Sequence, residues 1–135
     1  MTVLGVDPGE RRVGVAVADL ETRFARPLEV IDASRQDAIE RIVALALELE
    51  ATAIVIGKPI GLSGREGPAV EKQRVLVDGL RAATTIEVAE FDERLTTVLA
   101  DAGLRAGGAS RSKRKEMRDA VAAQVMLQGY LDSTR

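Results

Sequence analysis

"MTVLGVDPGERRVGVAVAD" (residues 1–19) carries an apolar run into an aspartate and a Pro-Gly pair, then starts a second apolar run within a few residues. Residues 2–7 read as a strand buried on both faces, since Val3, Leu4, Gly5 and Val6 leave no polar side. "DPGERR" is the turn, and residues 12–18 are a second strand whose small residues let backbones pack closely. The turn needs its Gly and Pro, but not the aspartate. Asp7 therefore either initiates the turn or stands at the end of a central strand, where ligand sites of open α/β sheets gather.

Outward from this hairpin, a third strand spans 24–31, with Pro27 marking an edge position. Two short connections make the three strands an antiparallel meander. Ser34 and Asp37 then precede Ile39, Ile42, Val43, Leu45, Ala46 and Leu49, a helical period with an N-cap. "TAIVIG" (52–57) is a buried strand, and "KPIGLSGREGP" is a Gly/Pro-rich loop. A helix at 69–83, a strand at 84–91 and helices at 94–104 and 113–132 complete the chain. The order β-β-β-α-β-α-β-α-α predicts an α/β domain over residues 1–135: a five-stranded mixed sheet with helices on its faces.

Composition narrows the chemistry. Aromatics are 2% against 46% apolar residues, so the core is aliphatic and base-stacking platforms are not expected. The chain has no cysteine and no histidine, which removes thiol nucleophiles, thiolate zinc sites and any histidine general base. A hydrolase of this composition would borrow a metal held by carboxylates. Glu48 and Glu50 interrupt the longest apolar run, so a cytoplasmic protein with no membrane partner is expected. The net charge of −2 gives no overall attraction to nucleic acid, so the placement of charge matters more than its sum.

Three carboxylates are candidates. Beside Asp7 stands Glu93 in "FDERLTT", where a strand hands over to a helix; there an acid also suits the positive end of the helix dipole. Asp119 begins the stripe Asp119, Ala123, Met126, Leu127 and Tyr130, which is the core-facing side of the last helix. A carboxylate on that side needs a basic partner, a proton or a metal. Leading into it, Arg105, Arg111, Lys113, Arg114, Lys115 and Arg118 are opposed only by Glu116, a cluster suited to a phosphate backbone. "GKPIGLSGREG" lacks the spacing of a nucleotide-binding Walker loop.

Taken together, "VDPGERRVGVAVAD", "IVIGKPIGLSGREGPAVEKQR", "FDERLTT" and "SKRKEMRDAVAAQVMLQGYLD" resemble the YqgF/RuvX family, nearly end to end and in order. Those proteins have an RNase H-like fold and are described as Holliday-junction resolvases or as nucleases maturing the 5′ end of 16S ribosomal RNA. The resemblance implies an acidic triad at Asp7, Glu93 and Asp119 that binds Mg²⁺ or Mn²⁺, with two ions expected, for phosphodiester hydrolysis. It also implies that Lys113, Arg114 and Lys115 approach nucleic acid; the charge cluster itself adds Arg111 and Arg118 as expected contacts, and Lys58 is expected at the mouth of the site. Two positions depart from the family pattern: Pro8 follows Asp7 where an aromatic or aliphatic residue is common, and Lys58 stands where an apolar residue is usual. The implied substrate is a ribosomal RNA precursor or branched DNA, and paired cutting of a junction would require a homodimer. A non-catalytic binding module of the same fold is the alternative of another class. A sugar-kinase or actin-like ATPase shares the opening Asp-x-Gly hairpin, but closes two such domains over its nucleotide.

Overall fold

The computed structural model describes residues 1–9, 11–58, 68–92 and 111–134, with the backbone alone at 58, 68–70, 92 and 111–117. Its elements are β1 (Thr2–Pro8), β2 (Arg12–Asp19), β3 (Phe24–Asp32), α1 (Ala38–Glu48), β4 (Ala51–Lys58), α2 (Pro68–Ala83), β5 (Glu87–Asp92) and α3 (Arg111–Ser133). The helix expected at 94–104 and the loop "GLSGREG" lie outside the described residues. The strands form one mixed sheet in the order β3-β2-β1-β4-β5. β1 pairs antiparallel with β2 and parallel with β4, and β5 is parallel to β4. Pro27 lies on β3 at the sheet edge, where the missing N–H is tolerated.

The first nineteen residues divide the sheet into two unlike faces. Side chains alternate along a strand. On β1 and β2, Leu4, Val6, Val13, Val15 and Val17 therefore share one face and pack with Ile42 and Leu45 of α1 and Val77 and Leu80 of α2. The opposite face carries Val3, Gly5, Gly14, Ala16 and Ala18 and receives α3 through Ala123, Met126, Leu127 and Leu131. Large aliphatic side chains thus fill one interface, while small ones leave room for a helix backbone in the other.

The local signals are physical. Asp37 caps α1, its carboxylate accepting from the backbone N–H groups of Ile39 and Glu40. Glu29 and Arg41 tie β3 to α1 in a two-pronged ion pair at 2.7 and 2.8 Å. The last strand begins at Glu87 rather than Thr84. Thr84 instead closes α2, its N–H donating to Leu80 and its hydroxyl accepting from Ile86 N–H. α3 covers the start of the edge strand β3: the Gln128 amide accepts from Ala25 N–H and donates to the Arg23 carbonyl, while Gln124 donates to the Ala25 carbonyl. Among the described residues, no helix is long and apolar enough to cross a membrane.

Candidate active site

β1, β4 and β5 run parallel and end level with one another, since Val6 pairs with Ile56, Gly57 with Phe91 and Lys58 with Asp92. Asp7 lies one residue beyond Val6, near the end of the central strand and opposite Gly14 on β2. Directly paired residues of antiparallel strands project to the same face. The face on which a Gly14 side chain would stand is occupied by α3: a Cβ there would fall 1.9 Å from the Asp119 carbonyl oxygen and 3.0 Å from Ala120 N. Asp119 therefore sits against Gly14, on the face from which Asp7 emerges. Two of the three proposed acids, 112 residues apart in the chain, are brought to one end of one sheet face.

This convergence needs glycine. Any side chain at 14 would push the helix backbone away, because a backbone atom cannot move aside as a rotamer can. Gly5 serves the next turns of α3, where a Cβ would come 2.8 Å from Leu127 Cβ. The stripe Asp119, Ala123, Met126 and Leu127 faces the sheet as the helical period requires, with Tyr130 half-buried against Phe91 in an edge-to-face contact at 5.8 Å.

Asp119 is half-buried, and its carboxylate makes no hydrogen bond or ion pair among the described residues. Burial pushes its carboxyl above the ordinary carboxylate value, and the nearby guanidinium groups of Arg12 and Arg118 pull part of the way back. A half-buried acid with no paired cation among the described residues, on the sheet face that also carries Asp7, suits a hard divalent ion that takes oxygen ligands. Glu93 lies outside the described residues; in the chain it follows Asp92, the end of β5. Among the described residues no group of three potential ligands is close enough to hold a metal, so the third would have to come from elsewhere in the chain.

The backbone of Arg111, Lys113, Arg114 and Lys115 belongs to the first turns of α3, the end of the helix that leads to Asp119, and their side chains lie outside the description. Arg118 is exposed on the next turn. Lys58 ends β4, level with Asp92, and its side chain is likewise not described. The sequence reading passed over Arg12. Alternation along β2 puts it on the α3 face two residues before Gly14, so the signal was there to be read. A hollow of about 320 Å³, lined by Thr2, Asp19, Phe24, Arg26 and Leu49, lies at the opposite end of the sheet, away from these acids.

A model of the family described as RuvX, Holliday junction resolvase, matches residues 1–133. The chain is 44% identical over 135 residues to a Chloroflexus aggregans protein named "Putative pre-16S rRNA nuclease", covering 99% of this chain and 95% of that one. A Halalkalibacterium halodurans protein of the same name is 41% identical, with 98% and 96% covered. Among solved structures, Thermus thermophilus RuvC superposes with a TM-score of 0.59 at 19% identity, over 99% of this chain and 96% of that one. Fowlpox virus resolvase, solved with Holliday junction DNA, superposes with a TM-score of 0.62 at 12% identity, over 99% of both chains. At such identities the likeness speaks for the fold, the RNase H-like sheet of RuvC-type resolvases.

Proposed function

The chain belongs to the RuvX family of Holliday junction resolvases, a family of nucleases, and on that premise we propose that it is a metal-dependent nuclease whose substrate is a ribosomal RNA precursor, cut in maturing the 16S 5′ end. The observation that carries the proposal is the seating of Asp119 on Gly14, opposite Asp7. It supports the reading because the backbone of a half-buried acid, without an ion pair among the described residues, rests on the sheet face that carries Asp7, near the ends of the parallel strands.

Asp7, Glu93 and Asp119 would hold one or two Mg²⁺ or Mn²⁺ ions. Bound there, such ions acidify water and offset charge on a phosphate under attack. The protein's own part is orientation and dryness. β1 and β2 fix the Asp7 backbone within a paired ladder, and α3 fixes that of Asp119 against Gly14. The aliphatic packing of α3 on the sheet keeps water from one side of the acids. Basic residues at the start of α3 would track the phosphate backbone. The family's description favours a second reading, the same hydrolysis on a four-way DNA junction, which would also require a homodimer.

The test compares labelled precursor RNA, linear DNA and four-way DNA, each with Mg²⁺ or Mn²⁺. Asp7→Asn should lower cleavage more than about 100-fold, beyond what loss of a residue outside the metal's own ligands brings. Excess chelator should abolish it. Wild-type cleavage that survives both treatments unchanged would overturn the proposal; cleavage confined to the four-way DNA would move it to the second reading.

A further inference from the structure

The sequence carries two adjacent arginines at the β1–β2 hairpin, and the sheet separates them. Arg11 is felt by Asp32, at the end of β3. Arg12 opens β2 on the same face as Gly14, and its charge is felt by Asp119. Its backbone is fixed from both sides: its carbonyl accepts from Gly9 N–H at 2.9 Å, and it pairs with Asp32 across the β2–β3 ladder. Strand geometry sets it about 7 Å along β2 from Gly14, on which Asp119 rests. The side chain is exposed and makes no ion pair among the described residues. Among the described residues, then, this cation near an acid is not joined to it and is open to an anion from solution.

We propose that Arg12 grips the phosphodiester group on which the acidic site acts, because an exposed guanidinium, unpaired among the described residues, rises from a fixed backbone on the same sheet face as Asp7 and Asp119. The inference deepens the nuclease reading and rests on it. A guanidinium presents a planar fork of N–H donors that matches two phosphate oxygens at once. Arg12 would reach the phosphate from the β2 side, opposite the basic start of α3. Neither end of that grip depends on base identity, so it serves RNA and DNA alike.

The rival role is that of a counter-charge, softening repulsion among the acids. The two separate cleanly. Binding of labelled four-way DNA and of an RNA duplex with a 5′ overhang is measured in the Asp7→Asn background, so that nothing is cut, with and without Arg12→Gln. A phosphate grip predicts about tenfold weaker binding and a salt dependence shallower by about one ion. Arg12→Lys should restore the salt slope but not the full affinity, since an ammonium lacks the fork. Unchanged affinity and slope in Arg12→Gln, or tighter Mn²⁺ binding with nucleic-acid affinity unmoved, would overturn the inference and leave the nuclease reading standing. If wild type neither binds nor cuts either substrate, the nuclease reading fails first and Arg12's role falls with it.

Discussion

The two faces of the sheet solve different problems with the same strands. On the α1 and α2 side, Leu4, Val6, Val15, Ile54 and Ile56 interdigitate with helix side chains, and the interface is held by buried aliphatic area. On the α3 side, Gly5, Gly14, Ala16 and Ala18 withdraw, and a helix backbone comes into contact with a strand. The first arrangement maximises burial. The second gives up side-chain volume and lets the Asp119 backbone rest on the face that carries Asp7. On the proposed function, stability and site are thus divided between faces, and substitutions should divide in the same way.

The largest expected effect is on the aliphatic face. Leu4→Ala, at a fully buried position, should destabilise by about 4 kcal/mol. Urea unfolding would measure it, and the rise in melting temperature on adding Mn²⁺ should survive. Gly14→Ala should cost about 3 kcal/mol, since its Cβ meets backbone that no rotamer change can move. Here the Mn²⁺ response should vanish along with the stability, because the shift carries Asp119 away. A Gly14→Ala protein that keeps its Mn²⁺ response would dissolve the distinction between the faces. Gly5→Ala meets Leu127 Cβ at 2.8 Å, an atom fixed to the helix but less tightly approached than the backbone at Gly14, and should cost about 2 kcal/mol.

The smallest effect is the most specific. Burial raises the folded-state carboxyl of Asp119 above its ordinary value of 3.8. The folded protein therefore binds that proton more tightly than the unfolded chain does. The penalty for burying the charge is absent below the unfolded value and complete above the folded one. Asp119→Asn should accordingly match wild type in acid and gain a little thermal stability as pH rises to neutrality, a small gain because the carboxyl is partly solvated. With a saturating divalent ion the order should reverse, since wild type alone would keep the full ligand set. Melting curves from acid to neutral pH, with and without Mg²⁺, would check both signs.

Much of this was legible in the residues. Apolar runs, turn residues and the helical stripe beginning at Asp119 predicted the strands, the meander and which side of the last helix faces inward. What separated Asp7 from an ordinary turn aspartate was not legible there, because both uses put Asp before Pro-Gly. What register adds is a neighbour: Asp7 pairs with Gly14, and Gly14 touches Asp119, which supports the proposed site. Pairing between strands joins residues far apart in the chain, and local pattern does not report it. The start of β5 was misjudged because Thr84 and Thr85 have strand propensity, while Thr84 is used to end a helix. Arg12 was legible by alternation along β2, but an arginine at a strand start carries no local sign of its use.

An anomalous difference map from crystals soaked in Mn²⁺ would bear most directly on whether the first strand and the last helix converge to seat a divalent ion. A peak should stand between the carboxylates of Asp7 and Asp119, with Glu93 completing the shell. No peak there in an otherwise ordered site, or an ion held instead by other carboxylates such as Asp32, would contradict it.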